Sequence, residues 1–489
     1  TVLIRLMGLS SGASNYSFSL IVSIFVFCLG LGSLLARKIG EYKLERLFWN
    51  QALAAFFLLL LYCTGDSWSY GAHVIRVMLR DIPEAFGFYQ GILGATLFVL
   101  LVVPIGLSGL TLPLCFHLFK SQGDGAGHRV GLLYGVNTLG CIAGALVGGY
   151  WLLNFLNLDQ VFKLCVLCVL VTAGAAAYLS RVWEKWSRPQ MAMGAGLVSV
   201  VLAGAAILPL FHKERFIQPF RHPRPMDTSF DGPQAFGDYL SRSTKLVFWK
   251  DGPNTSLGVG ASVFQNKEVS RTVFVNGKSD GNTRGDLLTT NMLAHIPGLL
   301  ADKPERVAVV GFGTGMTVGT LLHYPQVKSI DVIEISGTII QNAHYFDQYN
   351  GLASRSPKVT FREMDAMRFL GTGNKIFDVI VSEPSNPWVA GVENLFSYEF
   401  YDRARKTLAP GGLFVQWIHA YSFTDSLFSM VLGTMGKAFP YVSVFQLKGG
   451  DYALVASVFP IGHTDVMRGQ SRYLENAGVR EDMAMAGIT

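Results

Sequence analysis

A carboxylate in the segment DVIVSEPSNPW, residues 378–388, has the surroundings of a functional group. Val379 to Val381 form an apolar run that predicts a buried strand, and Glu383 follows where that strand ends. In open α/β sheets, ligands bind at the carboxyl ends of the strands. The sequence therefore makes Glu383 a candidate catalytic base, with ligand holding or an ordinary role at a loop entrance as the alternatives.

A second set of residues predicts a nucleoside-binding site. The segment VAVVGFGTGMTVG places Gly311, Gly313 and Gly315 directly after a strand and at the start of a helix. Glycines at this point allow a tight turn and close approach of the backbone to a ligand. Glu334 ends the next strand roughly twenty residues later, where a carboxylate can accept hydrogen bonds from ribose hydroxyls. Asp365 follows the third strand and is a candidate acceptor for an adenine amino group.

The elements that must position these residues belong to a predicted α/β domain. After about residue 241, short segments rich in β-branched and aromatic residues predict a small β unit. From residue 306 onward strands and helices alternate, which is typical of a mostly parallel, doubly wound sheet. We expect a Rossmann-like domain of the class I methyltransferase type over 241–460, and an incomplete C-terminal tail over 461–489.

Residues 1–212 have a different composition. The 489-residue chain is 50% hydrophobic and 15% charged, whereas a typical soluble domain has about 25% charged residues. Because about 20 apolar residues suffice to cross a bilayer, this region predicts a multi-span α-helical membrane domain, joined by a linker over 213–240. Residues 1–9 are interpreted as the end of an earlier span. The six predicted spans are 17–36, 44–63, 91–118, 130–156, 160–180 and 190–211.

Two features of the apolar half bear on its role. Gly140, Gly144 and Gly148 lie four residues apart, which predicts a face where helices pack closely. The predicted spans contain no convincing buried Asp, Glu, Lys or Arg, the usual mark of a transport pathway. A transporter is therefore disfavoured.

The orientation of the spans is left open by the sequence. The loops 37–46 and 181–189 are rich in Lys and Arg, which favours a cytoplasmic location for both. Counting spans from these loops puts residue 213 onward outside the cell. The segment 212–225 is itself basic and favours the inside, so the two signals conflict.

Metal and nucleic-acid sites have little support. Cys165 and Cys168 form a CxxC pair, but within an apolar helix and without a nearby His or a second pair. No basic tract is interleaved with aromatic residues. We therefore expect neither a metal nor a nucleic-acid partner.

Together these segments resemble the spermidine synthase family of aminopropyltransferases, and more closely bacterial versions fused behind a multi-span membrane domain. The resemblance implies a multi-pass protein of the bacterial inner membrane that transfers an aminopropyl group from decarboxylated S-adenosylmethionine to a small-molecule amine. The segments that carry it are VNGK (275–278), LAHIPGLL (293–300), VAVVGFGTG (307–315), DVIEIS (331–336), DVIVSEPSNPWVAGVENLFSYEFY (378–401), PGGLFVQW (410–417), and in the apolar half GLSGLTLPL (106–114) and RVGLLYGVNTLGCIAGALVGGY (129–150).

The sequence departs from the family at three motifs. A strand-end DSSDP reads EPSNP here, so the resemblance makes Glu383 the general base and replaces the second acid by Asn386. The family has an acid in a GGGDG loop, and this chain has Thr314 at that position. The family's Tyr-Gln pair is replaced by Thr289 and Thr290. Since an acceptor dication or trication is held by acids, these losses imply a poorer polyamine pocket.

Other residues are assigned to the pocket wall. Asn386, Thr290 and Tyr421 are candidate substrate-binding residues, and His419, Trp388 and Trp417 could line the same pocket. His295 is interpreted as a helix-face residue near the ligand, because the spacing shows no acid partner for it.

Three functions remain open. The first is a membrane-anchored aminopropyltransferase, which requires a cytoplasmic catalytic domain because its donor is made there. The second is a methyltransferase that uses intact S-adenosylmethionine. The third is a non-catalytic subunit of a larger membrane assembly, with other membrane subunits or further copies of the chain as partners.

Overall fold

The computed structural model describes residues 1–12, 14–38, 43–79, 83–120, 126–217, 229–373, 375–384, 386–420 and 423–488. The chain divides into two compact units. The first contains Thr1–Arg242 and Asn276–Lys278, and the second contains Ser243–Val275 and Ser279–Thr489. The first unit is helical, and the second holds two sheets with their covering helices.

The first unit consists of ten described α-helices. Six helical stretches are long and apolar enough to cross a membrane, close to the six predicted spans: Asn15–Lys38, Leu44–Met78, Phe86–Leu118, Gly127–Asn154, Leu158–Ser180 and Arg188–Ile207. The helices are α1 (Val2–Ser11), α2 (Asn15–Leu35), α3 (Leu44–Thr64), α4 (Trp68–Met78), α5 (Phe86–Lys120), α6 (Ala126–Leu146), α7 (Leu158–Ser180), α8 (Val182–Lys185), α9 (Arg188–Ile207) and α10 (Pro233–Ser243).

The surface of these helices is apolar. Leu139 is 68% exposed, Val171 71% and Ile207 81%, and large exposed apolar side chains of this number suit contact with lipid or with another protein. Such side chains are suited to contact with lipid chains.

Close helix packing occurs at glycines other than the predicted ones. A Cβ added to Gly32 of α2 would lie 1.9 Å from the carbonyl oxygen of Gly106 in α5, and one added to Gly109 would lie 2.3 Å from that of Leu29. A Cβ added to any of the three predicted glycines meets no described atom within 4 Å. The expectation of a packed face at these three glycines is therefore wrong within the described part of the first unit.

A buried carboxylate lies one residue before the predicted span 160–180. Asp159, in the first turn of α7, is fully buried. Its Oδ2 lies 2.7 Å from Nζ of Lys213 and accepts a hydrogen bond from the amide of Phe211 at 3.0 Å. The residue was missed because its cationic partner comes from beyond the last span. The pairing neutralises the charge and gives it a structural role at the helix end.

The second unit begins with a small antiparallel sheet, as predicted. Its strand order is β1-β2-β3-β4, and paired strands place Leu257 opposite Val275 and Trp249 opposite Gly258. The strands are β1 (Lys245–Asp251), β2 (Ser256–Phe264), β3 (Lys267–Val275) and β4 (Lys278–Asn282).

A seven-stranded sheet forms the centre of the second unit. The strand order is β10-β11-β9-β8-β5-β6-β7, with parallel pairing from β9 to β7 and antiparallel pairing at β10 and β11. This order confirms the predicted Rossmann-like, class I methyltransferase-type fold. The strands are β5 (Arg306–Val310), β6 (Ser329–Glu334), β7 (Val359–Glu363), β8 (Phe377–Ser382), β9 (Leu408–His419), β10 (Tyr441–Gln446) and β11 (Asp451–Ser457).

Helices cover both faces of this sheet. They are α11 (Leu287–Leu300), α12 (Met316–Leu321), α13 (Gly337–Asn342), α14 (Ala366–Gly371), α15 (Tyr398–Lys406), α16 (Asp425–Ala438), α17 (His463–Glu475) and α18 (Ala477–Met485). The last two lie in the segment predicted as a tail, and α10 lies in the predicted linker.

The alternation of side chains along the strands assigns each residue to one face. Val379 and Val381 of β8 belong to the core beneath α11 and α12, whereas Ile380 belongs to the core on the opposite face. Because successive side chains point to opposite faces, Glu383 leaves the sheet on the side of α11. Trp417 lies in the same core as Val381.

Candidate active site

The glycine loop connects β5 to α12 through three left-handed residues. Gly311, Gly313 and Gly315 have φ values of +85°, +51° and +68°, a region that L side chains rarely adopt. A Cβ added to Gly311 would lie 3.5 Å from Cδ of Pro384, and one added to Gly313 would lie 3.7 Å from Oε2 of Glu383. The glycines therefore bring the backbone of this loop close to the Glu383 carboxyl.

Glu334 is held beside the glycine loop by backbone amides. One carboxylate oxygen accepts a hydrogen bond from the amide of Phe312 at 3.1 Å, and the other accepts one from Ser336 at 2.9 Å. Burial raises the pKa of this carboxyl, these hydrogen bonds oppose the rise, and the charge of Asp280 adds to it. Since each carboxylate oxygen can accept more than one hydrogen bond, Glu334 is suited to receive the hydroxyls of a ribose.

Asp280 was not identified in the sequence. It lies in β4, so its approach to Glu334 depends on how the small sheet packs against the larger one. The residue type alone gave no signal, because a carboxylate in a short strand is usually solvated.

Glu383 is the second buried acid of the site with a raised pKa. Its amide donates to the carbonyl of Val310 at 3.0 Å, which fixes the chain at the end of β8. Burial raises the pKa of the carboxyl to about 8; contact with the hydroxyl of Thr317 opposes the rise, and the charge of Glu334 adds to it. Within the described part of the chain, Oε1 is buried and accepts no hydrogen bond. A buried acid of this kind can take up or release a proton near neutral pH.

The other predicted ligand residues differ in exposure and in hydrogen-bond partners. Asp365 is exposed at the end of β7 and caps α14, accepting a hydrogen bond from the amide of Arg368 at 2.8 Å. Asn386 is buried near Glu383 in sequence. The hydroxyl of Thr290 lies 3.0 Å from the carbonyl oxygen of Asp286, within its own helix. Tyr421 lies outside the described residues. Ligand binding by these four residues stays a prediction.

His295 has an acid neighbour that its sequence spacing did not reveal. Its Nε2 lies 3.8 Å from Oδ2 of Asp482 in α18, and its Nδ1 lies 2.9 Å from the hydroxyl of Tyr324. Burial lowers the pKa of the imidazole to about 4, although the charge of Asp482 opposes this. The spacing gave no sign of this acid because helix α18 brings it from the far end of the chain, and the interpretation of His295 as a residue near the ligand stays a prediction.

A second pair of a histidine and an acid lies at the end of β9 and the start of β11. Nδ1 of His419 donates to one oxygen of Asp451, and the hydroxyl of Thr289 donates to the other at 2.6 Å. The ring of Trp417 lies 4.7 Å from that of His419. His419 and Trp417 had been singled out, but Asp451 had not, because its approach depends on the antiparallel pairing of β11 with β9.

The described side chains form no group of three or more His, Cys, Asp or Glu that could hold a metal ion. The chemistry that can be derived from this arrangement belongs to the side chains themselves. One turn with three left-handed glycines and two buried carboxylates meet at one edge of the sheet, and burial raises the pKa of one of those carboxylates to about 8. The arrangement can hold a nucleoside and accept a proton beside it.

Part of the second unit is similar to a known protein family. Residues 287–465 match the spermine/spermidine synthase domain. A spermidine synthase of Dictyostelium discoideum is 29% identical over 162 residues, covering 32% of this chain and 57% of that protein. A polyamine aminopropyltransferase of Klebsiella pneumoniae is 26% identical over 181 residues, covering 37% and 61%. The resemblance drawn from the sequence is confirmed for residues 287–465.

Solved structures give a weaker likeness. The spermidine synthase of Thermotoga maritima aligns with a TM-score of 0.40 at 19% identity, covering 45% of this chain and 75% of that one. The chain spans 57% and 61% of the lengths of the two curated relatives named above.

Proposed function

We propose that this protein transfers an aminopropyl group from decarboxylated S-adenosylmethionine to an amine. The observation that supports the proposal most is the Glu383 carboxyl. It is buried, its pKa is raised to about 8, and its Oε2 lies 3.7 Å from the Cβ position of Gly313. A base with these properties stands beside the loop that would hold the donor in a spermine/spermidine synthase domain.

The proposed reaction requires a base on the acceptor side. An ammonium group must lose one proton before its nitrogen can attack the carbon attached to the donor sulfonium. The new N–C bond forms as the C–S bond breaks, and its electron pair stays on sulfur in methylthioadenosine. Glu383 accepts the proton from the attacking nitrogen, so charge and atoms balance.

The donor site is proposed to consist of the glycine loop and two acids. Gly311, Gly313 and Gly315 allow the backbone to approach the nucleoside, Glu334 accepts hydrogen bonds from the ribose hydroxyls, and Asp365 accepts one from the adenine amino group. Asn386, Thr290 and Tyr421 are proposed to contact the acceptor. This set has fewer acids than the family pattern, which favours an acceptor of low charge.

The apolar helices are proposed to anchor the enzyme in a bacterial inner membrane. We assign 1–212 to the membrane domain, 213–240 to a linker and 241–460 to the catalytic domain. The exposed Leu139, Val171 and Ile207 support contact with lipid.

The test is turnover by the full chain purified in detergent. Decarboxylated S-adenosylmethionine and a panel of amines are supplied, and methylthioadenosine is measured by chromatography. We expect release with at least one amine, and a loss of at least a hundredfold in kcat for Glu383→Gln. The control is Glu305→Gln, whose side chain lies on the surface 2.7 Å from Lys328. Absence of methylthioadenosine, or equal rates for Glu383→Gln and the wild type, would refute the proposal.

A methyltransferase is the second candidate because of Thr314. This buried residue takes the place of the glycine-loop acid, and its methyl group lies 3.4 Å from the Cβ position of Gly281. Without that acid the loop has less to attract the donor's free amine. Calorimetric titration of the full chain with the intact and the decarboxylated donor decides: tighter binding of the intact form favours the methyltransferase.

A further inference from the structure

A cavity of about 220 Å³ in the second unit is not used by the proposed transfer. It lies between α11, α12, the segment 349–351 and α18. Among the described residues, none of those proposed to bind the donor or the acceptor lines it. Its wall includes Leu287, Asn291, Met316, Asn350, Asp482 and Met485.

The wall combines apolar side chains with buried polar ones. On α11 and α18 the two kinds share a face, because Leu287 and Asn291 are four residues apart and Asp482 and Met485 are three apart. Asn291 is 1% exposed and Asp482 is 6% exposed. A ligand here would therefore meet a carbon surface and buried polar groups together.

Asp482 is the acid of this cavity. Its Oδ2 lies 2.9 Å from Nδ1 of His323 and 3.8 Å from Nε2 of His295. Burial lowers the pKa of His295 to about 4, so that ring is neutral near pH 7, whereas contact with Asp482 raises the pKa of His323. The other oxygen, Oδ1, makes no hydrogen bond or ion pair with the described residues. One side of a buried carboxylate is thus left for a ligand.

The charge and size of the cavity restrict the ligand class. No described Lys or Arg lines it, so the wall offers nothing to hold an anion apart from His323 in its protonated form. Hydrogen bonds between an ammonium group and a carboxylate are among the strong ones in proteins. The volume equals that of roughly seven water molecules, which suits a short carbon chain.

We propose that this cavity binds a small alkylammonium compound. Its ammonium group donates to Oδ1 of Asp482, and its carbon chain contacts Leu287, Met316 and Met485. Asn350, which also lines the cavity, donates from Nδ2 to the carbonyl of Thr314 at 3.0 Å, so the site adjoins the glycine loop from the side of α12. The inference does not depend on the proposed function, because binding here requires no turnover.

The experiment measures how a ligand protects a single cysteine in the cavity wall. Because Met485 is 68% exposed, Met485→Cys is introduced into the full chain lacking its six native cysteines and purified in detergent. Its reaction rate with a methanethiosulfonate reagent at pH 8 is followed with butylamine, 1-butanol or butyrate, which differ in charge at equal chain length. Butylamine should give half-protection at a concentration about tenfold lower than butanol, as for one charge-assisted hydrogen bond, and butyrate should not protect.

In the same background, Asp482→Asn should raise the half-protecting concentration of butylamine about tenfold. The matched control is Glu481→Gln, which removes an equal charge from an exposed position of the same helix and should leave protection unchanged. The inference is overturned if butanol or butyrate protects as well as butylamine, or if Asp482→Asn has no more effect than Glu481→Gln. The comparison of the three ligands decides the question even where Asp482→Asn does not fold.

The same ligands separate this inference from the proposed function. Normal methylthioadenosine release without protection by butylamine would overturn only the inference. Protection by butylamine without methylthioadenosine release from any amine would uphold the cavity as a binding site and refute the proposed function.

Discussion

At the scale of single residues, Glu383 connects the fold to the chemistry. The same burial that raises the pKa of this proposed base to about 8 also makes its charged form costly in the folded protein. Its reactivity and its effect on stability should therefore change together with pH.

The rate of transfer should rise with pH through the pKa of Glu383. Only the ionised carboxylate can accept a proton, so kcat/KM for the amine is expected to increase up to about pH 8 and to level off above it. Initial rates of methylthioadenosine release between pH 5.5 and 9.5 measure this. A profile that is flat between pH 6 and 9 would contradict the assignment of Glu383 as the base.

The stability of the folded chain should fall over the same range. The folded pKa is raised above the usual value of 4.5, so between these two values the folded state binds more protons than the unfolded state, and the free energy of unfolding decreases as pH rises. Glu383→Gln removes this titration. We expect its Tm to exceed that of the wild type by several degrees at pH 9 and to match it near pH 4.5, as followed by tryptophan fluorescence of the full chain.

The control for this measurement is again Glu305→Gln, whose carboxylate is on the surface. Its Tm should follow that of the wild type at every pH. Parallel curves for Glu383→Gln and the wild type would show that the burial of Glu383 does not penalise its charge.

The residues of the candidate site that follow strand ends were predictable from the sequence. Glu334 and Glu383 could be found because the carboxyl ends of parallel strands meet at one edge. Asp280 and Asp451 could not, since each depends on a pairing between distant segments. The partner of His295 was missed for the same reason, because Asp482 comes from a helix near the end of the chain.

At the scale of elements, the turn between β5 and α12 is the part whose conformation matters most. Its three glycines all have positive φ. This requirement follows from the strand-turn-helix pattern, so the turn was predictable from the sequence alone.

Replacing Gly313 by alanine should weaken donor binding beyond its effect on stability. A left-handed alanine costs roughly 1 kcal/mol, and the new methyl group would lie beside Oε2 of Glu383, where the backbone is expected to meet the nucleoside. We expect the Kd for methylthioadenosine, measured by calorimetry, to rise at least tenfold.

Gly351→Ala is the matched control. Gly351 has a similar φ of +64°, and an added Cβ meets no described atom within 4 Å. Both variants should lose a similar amount of stability, and only Gly313→Ala should lose affinity. Equal affinities in the two variants would remove the glycine loop from the donor site.

The short terminal helices show where sequence patterns were insufficient. α17 and α18 are stabilised by contact with α11: Arg472 donates to the carbonyls of Gly298 and Leu299 at 3.1 and 3.0 Å, which supplies partners for a helix end. The segment is polar on average and was interpreted as a tail. Its place against α11 depends on tertiary contacts that no local pattern records.

At the scale of the whole molecule, the side of the proposed membrane on which the second unit lies decides whether the proposed donor is accessible. The segment 212–225 gave a positive-inside signal that conflicted with the span count. In the structure Lys213 lies 2.7 Å from Asp159, and Arg215 lies 3.5 Å from Asp66. These two cations are therefore compensated, and charge counting over this segment overstates its preference. The chemistry gives the stronger constraint, because the proposed donor is made in the cytoplasm.

The proposed function requires Asp231 to face the cytoplasm and Lys185 to face the opposite side, since one candidate span, Arg188–Ile207, separates them. Both side chains are exposed. In a variant lacking the six native cysteines, Lys185→Cys should react with a membrane-impermeant maleimide in intact spheroplasts, and Asp231→Cys only after permeabilisation. Both labels should form in detergent, which controls for accessibility. The reverse pattern would place the domain after Asp231 away from the donor and favour a non-catalytic subunit, and equal labelling in intact cells would mean that Arg188–Ile207 does not cross the membrane.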